Sequence, residues 1–302
     1  MAEAADSHKS IIYALVANFA IAIAKTTGAI FTGSASMLAE AIHSFADCGN
    51  QGLLLWGLKE SNRAPTPDHP LGFGKSIYFW SFIVALMLFS MGGLFSVYEG
   101  VHKISSTEPL QYAWVAVAIL SFGIVAESVS LWGCVREINK VLGTLSLWAW
   151  FKVSRQSELV VILGEDIAAL GGLSLALGFI GLTVLTGNPV WDALGSIAIG
   201  VLLLVVAVLV GVQVKALLIG QSAEPELLAK MKKYLTDQPE ILELYNVLTQ
   251  QFGSEIMVAV KARMKPQGSE VAMIEAINRI EAGFHVAFSD VQWIFFEPDI
   301  ED

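Results

Sequence analysis

Charged side chains are scarce in this sequence. Asp, Glu, Lys and Arg make up 15% of its 302 residues, against about 25% in an ordinary globular protein. Hydrophobic residues make up 55%, and the mean hydropathy is +0.62. A water-soluble chain of this size could not cover so large an apolar core, and a disordered, collagen-like or disulfide-stapled chain is excluded by the same composition. The sequence therefore predicts an integral membrane protein.

Cysteine and basic residues are also in short supply. The two cysteines, Cys48 and Cys134, are too few for a disulfide framework or a cysteine-based zinc cage. The net charge of −10 argues against nucleic acid as a partner, because phosphate binding needs a basic surface.

The first residues, MAEAADSHKS, include acids and lack a basic segment before a short apolar core. We therefore do not expect a signal peptide.

Six apolar runs are each long enough to cross the hydrocarbon core of a bilayer, which requires about 20 residues. They are 10–31, 35–58, 77–101, 112–134, 158–185 and 190–217. Basic residues follow the second and fourth runs, whereas the opposite side has Lys103 alone. Positive charges favour the cytoplasmic side of a membrane. We therefore predict six spans in a cell membrane or inner membrane, with both termini in the cytoplasm.

The composition changes after the sixth run. Residues 220–302 contain seven Lys and Arg against fourteen Asp and Glu. The hydropathy pattern predicts helix, strand, strand, helix and strand, at 225–235, 242–250, 255–265, 270–282 and 291–297, with a hairpin turn at 252–254. The predicted fold is therefore a six-helix transmembrane domain over 1–217, followed by a small cytoplasmic α+β (αββαβ) domain over 218–302. About 80 residues are near the lower limit for independent folding, so pairing with a second copy is expected.

The stretch 135–157 is polar and basic, with three apolar interruptions that include Trp148 and Trp150. Two interpretations stay open. The stretch could form a surface helix with both tryptophans at the level of the lipid headgroups, or it could be an extended cytoplasmic loop.

The second apolar run contains polar side chains that are costly at membrane depth. Glu40, His43, Asp47 and Asn50 are spaced by three, four and three residues, which places them on one face of a helix. An imidazole and a carboxylate four residues apart can bind one divalent ion together. The pattern makes these side chains candidate ligands.

The fifth run supplies a second acidic pair, Glu165 and Asp166. At 1.5 Å per residue, both this pair and the acids of the second run fall near the middle of the ~30 Å hydrocarbon core. Small residues around Asp166 permit close approach of another helix. Acids and a histidine at one depth require a cation, so the sequence predicts a cation site between the two runs.

The same residues also have possible structural roles. His43 alone could be a hydrogen-bonded core histidine. Lys25, which shares a helix face with Asn18, could pair with Glu165 or Asp166, although it cannot neutralise all of the acids. Glu127, in the fourth run, is a candidate for a proton path or for a paired structural acid. Asp192 opens the sixth run, where it is expected to interact with the amino end of its own helix.

Four segments together resemble the cation diffusion facilitators, a family of metal–proton exchangers that includes zinc transporters. They are GSASMLAEAIHSFADCGNQ (33–51), DHPLGFGK (68–75), LGEDIAALGG (163–172) and DALGSIAIG (192–200). The resemblance implies a homodimer with one transport site in each protomer, between the second and fifth spans. It implies His43, Asp47 and Asp166 as ligands, with Glu165 beside them.

The sequence departs from the usual zinc pattern of this family at Ile162, where a histidine is typical. The fourth ligand is therefore left open among Glu165, Asn18, Glu40, Asn50 and water. In the loop after the second span, Asp68 and His69 remain of a further family site, but Phe73 replaces a histidine. The tail has one histidine, His285, and is expected to bind metal weakly or not at all.

The resulting functional hypothesis is export of a divalent metal, zinc above others, in exchange for protons, within the lipid bilayer and with no resident cofactor. Histidine suits this exchange because its unperturbed pKa is near 6.5. Manganese, iron or cobalt are alternative substrates, since the second histidine is missing. A membrane-embedded metalloenzyme and a channel-like or scaffolding dimer are the competing classes.

Overall fold

The structure is a computed structural model that describes residues 18–105, 110 and 112–301. The described chain divides into two compact units. One unit takes in the described part of Met1–Gly57, that of Trp80–Leu145, and Glu158–Val214. The other takes in Leu58–Phe79, Ser146–Ser157 and the described part of Lys215–Asp302.

Long apolar helices dominate the first unit. Among the described residues, four helical stretches are long and apolar enough to cross a membrane: Ser76–Lys103, Ala113–Val141, Ser157–Thr186 and Val190–Ile219. We name the helices of the last three α5, α7 and α8. The Ser76–Lys103 stretch comprises α3 (Ser76–Met87), a π-helical segment (Leu88–Leu94) and α4 (Phe95–Lys103). These four agree with the last four predicted spans.

Two further helices precede these four. Helix α1 is described over 18–32, and residues 10–17 of the predicted first span lie outside the described part of the chain. Helix α2 covers Ala35–Ser61. Its 27 residues correspond to about 40 Å at 1.5 Å per residue, so α2 is long enough to cross a bilayer. It falls short of the apolar composition of the other four because the candidate ligands lie within it.

Glycines bring the third and sixth predicted spans into close contact. A Cβ added at Gly100 of α4 would lie 2.6 Å from Cγ1 of Ile197 and 2.7 Å from the carbonyl oxygen of Ala193 on α8. In return, Ser196 Oγ of α8 donates a hydrogen bond to the carbonyl oxygen of Ser96, at 2.7 Å. Because no larger side chain fits at Gly100, the two helices pack backbone to backbone.

Asp192 fixes the amino end of α2. It lies in the first turn of α8, as predicted, but its carboxylate is used by the other helix. Asp192 accepts hydrogen bonds from Ser34 Oγ at 2.6 Å, from the Ala35 N–H at 2.6 Å and from the Ser36 N–H at 3.3 Å. The side chain thus satisfies backbone donors that the first turn of any helix leaves unpaired.

The carboxyl-terminal part of the second unit has the predicted order of elements. These are α9 (Pro225–Thr236), β1 (Ile241–Phe252), β2 (Glu255–Met264), α10 (Glu270–Ala287) and β3 (Val291–Pro298). Strand β2 is central, antiparallel to β1 and parallel to β3. The hairpin turn at Gly253 is confirmed, with a φ of +65° that glycine adopts readily.

One face of this sheet forms the core of the tail. Alternate side chains of β2 face it, since Ile256, Val258, Val260 and Ala262 are each at most 2% exposed. They pack in one cluster with residues of α9 and α10, among them Met231 and Phe284. The opposite face has a row of apolar residues paired in register across the three strands, namely Leu248, Ala259 and Phe295. Leu248 and Phe295 are 61% and 54% exposed.

Both interpretations of 135–157 are partly right. Helix α5 continues to Val141, and a short helix α6 covers Leu147–Val153, with irregular chain on either side of it. Trp148 is exposed, but Trp150 is buried. Of the two tryptophans, Trp148 alone is therefore exposed enough to lie among lipid headgroups.

The first turn of α3 and the loop before it contact the β1–β2 hairpin within the second unit. Tyr78 is 1% exposed, and its hydroxyl accepts a hydrogen bond from the Gly253 N–H at 3.0 Å. The same hydroxyl donates to the Gly253 carbonyl oxygen at 3.3 Å. Beside it, the Lys75 ammonium lies 4.9 Å from the centre of the Phe252 ring. These contacts hold the turn through both of its backbone polar groups.

Candidate metal centre in the membrane helices

His43 and Asp47 lie next to each other on α2, as their spacing of four residues requires. The distance from His43 Nδ1 to Asp47 Oδ1 is 3.4 Å. The imidazole has no exposed surface, and the Asp47 side chain is 14% exposed. A neutral imidazole nitrogen beside a carboxylate oxygen is a suitable pair of ligands for a divalent transition metal.

Several polar atoms in this region are buried and have no hydrogen-bond partner among the described residues. They are Glu40 Oε1, both ring nitrogens of His43, Asp47 Oδ1, Asn50 Oδ1 and Asp166 Oδ2. A buried polar atom without a partner costs about 1–3 kcal/mol, so a group of them at one place calls for a functional explanation. Oxygen and imidazole nitrogen are atom types that bind divalent cations, so each of these atoms is a candidate donor.

The acidic pair of α7 divides between two neighbouring helices. Glu165 Oε1 accepts a hydrogen bond from Asn50 Nδ2 of α2, at 2.6 Å. Asp166 Oδ1 accepts one from Ser130 Oγ of α5, at 3.1 Å. Consecutive residues of a helix point about 100° apart, which is why adjacent acids contact different helices. Glu165 thus approaches α2 directly, and it also interacts electrostatically with Asp47.

Lys25 is committed to another acid. Its ammonium lies 3.1 Å from Glu40 Oε2 and donates to Ser44 Oγ at 2.7 Å, and neither Lys25 nor Glu40 has exposed surface. A Cβ at Gly172 of α7 would collide with Glu40 Oε1, so a glycine on α7 makes room for this carboxylate. The alternative in which Lys25 pairs with Glu165 or Asp166 is therefore wrong, because its ammonium pairs with Glu40.

The other candidate residues lie apart from this group or at its edge. Asn18 is half-buried in the first described turn of α1. Glu127 of α5 interacts electrostatically with Asp47, Glu165 and Asp166, which places it within reach of the buried acids. In the sequence, Glu127 was a candidate because it is an acid within an apolar run.

The loop and tail residues have other contacts. Asp68 and His69 are both exposed, and the His69 ring lies 4.5 Å from that of Phe73, centre to centre. In the tail, Nδ1 of His285 is 2.9 Å from the carbonyl oxygen of Val291. These residues belong to the second unit.

The structure brings His43 to Asp47, and Asn50 to Glu165. Across the described residues, no set of three or more His, Cys, Asp or Glu side chains lies close enough to hold a metal ion. The ligand set of His43, Asp47, Asp166 and Glu165 thus stays a prediction. Asp192 is a residue whose importance the sequence understated, because its partner is the start of α2.

Comparison with known proteins gives one family. The family model described as the cation efflux transmembrane domain matches residues 11–219. The proton-coupled zinc antiporter SLC30A9, mitochondrial, of Xenopus laevis is 36% identical over 248 residues, covering 81% of this chain and 44% of that protein. Its Homo sapiens counterpart is 38% identical over 227 residues, covering 74% and 40%.

A plant protein is also similar. Metal tolerance protein C4 of Arabidopsis thaliana is 30% identical over 252 residues, covering 82% of this chain and 54% of that protein. The chain thus spans between 40% and 54% of the length of these three relatives.

Proposed function

This chain belongs to the cation efflux family, the cation diffusion facilitators, and we propose that it exports a divalent metal cation, zinc above others, from the cytoplasm in exchange for protons. The relatives named as proton-coupled zinc antiporters favour this activity. The observation that carries it is the group of buried, unpartnered donors around His43 and Asp47. It makes the protein a secondary active transporter and not an enzyme.

We propose His43, Asp47, Asp166 and Glu165 as the ligands of the transported ion. A histidine with carboxylates suits zinc better than magnesium or calcium, which prefer shells made of oxygen alone. Two of these residues lie on α2 and two on α7, and the Asn50–Glu165 hydrogen bond brings the two helices together at this level. To complete the set, Asp166 would leave Ser130 of α5 and approach α2.

Proton coupling follows from the ligands themselves. A metal ion binds the neutral imidazole and ionised carboxylates, so protons and metal compete for the same atoms. When the site is open to the cytoplasm, the metal binds; when it opens to the other side, protons displace the metal from His43, Asp47 and Asp166. The protons then return to the cytoplasm as the site reopens there. Glu127 is a candidate for their path, because it interacts with the same acids.

Manganese, iron or cobalt are the second set of candidate substrates. The position typical of a second histidine is Ile162, and the side chain that reaches α2 instead is the carboxylate of Glu165. Each replacement of nitrogen by oxygen in a ligand set shifts preference toward harder metals. Measuring zinc uptake in the presence of competing manganese would show which metal the transporter prefers.

We propose six spans with both termini in the cytoplasm, a transport domain over 1–217 and a cytoplasmic domain over 218–302. Helices α1 and α2 would be the first two spans, since the ionic groups of Lys25 and Glu40 neutralise each other between them. We also propose a homodimer. The exposed row of Leu248, Ala259 and Phe295 on the tail sheet supports it, because a second copy could cover these side chains.

The test is metal uptake with a counter-flow of protons, measured in proteoliposomes that contain the purified protein. His43→Ala, Asp47→Ala and Asp166→Ala are each expected to reduce zinc flux by at least about tenfold, as the loss of one ligand does at other metal sites. Asp237→Ala, at an exposed position of the tail, is the control. Unchanged flux in Asp47→Ala or Asp166→Ala would refute the assignment, and hydrolysis without metal flux would favour a metalloenzyme.

A further inference from the structure

Asn50 is an unusual residue for its surroundings. Its side chain amide lies on a membrane helix with no exposed surface, where an unpaired amide group costs several kcal/mol. It is seven residues from His43 and three from Asp47, so it shares their face of α2. A residue of this cost, placed on the face of the candidate ligands, requires a reason to be polar.

The orientation of the amide is determined by its partner. Asn50 Nδ2 lies 2.6 Å from Glu165 Oε1, and an ionised carboxylate can only accept hydrogen bonds. With this carboxylate ionised, as metal binding requires, the NH₂ group faces Glu165, since the reverse orientation would place two oxygen atoms in contact. Asn50 Oδ1 is consequently the atom left over, and it is buried without a hydrogen-bond partner among the described residues.

The same bond determines the direction of Glu165. Its neighbour Asp166 is bonded to Ser130 of α5, so the two acids of the pair are held by different helices. Without a donor on α2, nothing in the described contacts of Glu165 would hold its carboxylate against that helix. Asn50 lies about one helical turn from Asp47, so its hydrogen bond brings Glu165 to the part of α2 that bears the candidate ligands.

We infer that Asn50 is a positioning residue of the transport site: its amide N–H holds the Glu165 carboxylate against α2, and its free amide oxygen is an additional donor for the cation. This inference rests on the proposed function, because it assigns Asn50 to the same metal centre. It explains why Glu165, and not Asp166, is the acid of α7 that reaches α2. It also adds an amide oxygen to the carboxylate oxygens of the ligand set.

An exchange of the two groups tests the inference. Asn50→Asp removes the donor and places two carboxylates face to face, whereas Asn50→Asp with Glu165→Gln restores the bond in the opposite direction and keeps the net charge. We expect Asn50→Asp to raise the zinc KM in proteoliposomes by about tenfold, the scale of one lost hydrogen bond to a charged group. The double variant should recover most of that loss, because the carboxylate and the amide have only changed places.

Two further measurements make the result specific. Asn62 is exposed and directly follows α2. Asn62→Asp is therefore the control and should leave KM unchanged. Thermal unfolding of each variant in detergent separates positioning from stability, since a purely structural role would lower the unfolding temperature without a rescue of KM in the double variant. Asn50→Leu, of similar volume and without charge, replaces Asn50→Asp if the latter does not fold, with the same expected rise in KM.

The outcomes distinguish this inference from the proposed function. A zinc KM within about twofold of the parent in Asn50→Asp and Asn50→Leu, or a double variant no better than Asn50→Asp alone, would overturn the inference. If the parent protein transports zinc and His43→Ala does not, the proposed function survives that result. Absence of metal flux from the parent protein would instead remove the proposed function and the inference together.

Discussion

Lys25 and Glu40 form an ion pair from which water is excluded. The distance between Lys25 Nζ and Glu40 Oε2 is 3.1 Å, and neither side chain has exposed surface. Lys25 also donates to Ser44 Oγ, so two of its three N–H groups have partners on α2. The pair joins α1 to the helix that bears His43 and Asp47, about one turn from the nearer of them.

Removal of one member of this pair should be much worse than removal of both. Lys25→Met leaves the Glu40 carboxylate buried and unpaired, which costs about 3–5 kcal/mol. Lys25→Met with Glu40→Leu removes both charges and should recover most of the stability. Thermal unfolding in detergent measures the difference, with Lys59→Met at an exposed position as the control. Equal losses in the single and double variants would show that the charge pairing has no such role.

The Asp192 cap predicts a defect at the start of α2. Asp192→Ala leaves the Ala35 and Ser36 N–H groups without their acceptor, and such caps contribute about 0.5–2 kcal/mol. Asp192→Asn keeps one acceptor oxygen and should lose less. Amide hydrogen exchange at residues 35–38 reports the effect directly, because the first turn should open more often in Asp192→Ala. Exchange that matches that of Asp237→Ala would contradict the assignment.

The contact at Gly100 predicts that one methyl group is too large. Gly100→Ala places a Cβ 2.6 Å from Ile197 Cγ1 and 2.7 Å from a backbone oxygen, and overpacking of this kind costs about 1–3 kcal/mol. Gly181→Ala of α7 is the matched control, since no atom lies within 4 Å of its added Cβ. The unfolding temperature should fall in the first variant alone. A similar temperature in both would mean that α4 and α8 can separate at no cost.

The Tyr78 hydroxyl predicts a local effect at the hairpin. Tyr78→Phe removes both hydrogen bonds to Gly253 and leaves two backbone groups without this partner, at a cost of about 1–3 kcal/mol. The Gly253 N–H should exchange with solvent faster, while amides in the centre of β2 should not change. Tyr98→Phe, at an exposed hydroxyl, is the control. Unaltered exchange at Gly253 would show that the Tyr78 hydroxyl does not hold the turn.

The sequence by itself determined the features that depend on local periodicity. Apolar runs predicted the stretches that form α3 and α4, α5, α7 and α8, and the strand predicted at 255–265 is β2. The spacing of His43, Asp47 and Asn50 placed them on one face of α2, since the 3.6-residue period of a helix leaves no other arrangement. Each of these features is encoded within one element, so no knowledge of its neighbours was needed.

Only the tertiary structure decided which side chains meet between elements. Asn50 and Glu165 are 115 residues apart, and Ser34 and Asp192 are 158 apart. The sequence showed that Lys25 could pair with a carboxylate, but the choice of Glu40 depends on how α1 and α2 pack. The division of Glu165 and Asp166 between α2 and α5 has the same origin. The rotation of α7 about its axis sets both contacts at once, and that rotation is fixed by packing against several helices rather than by the local sequence of α7.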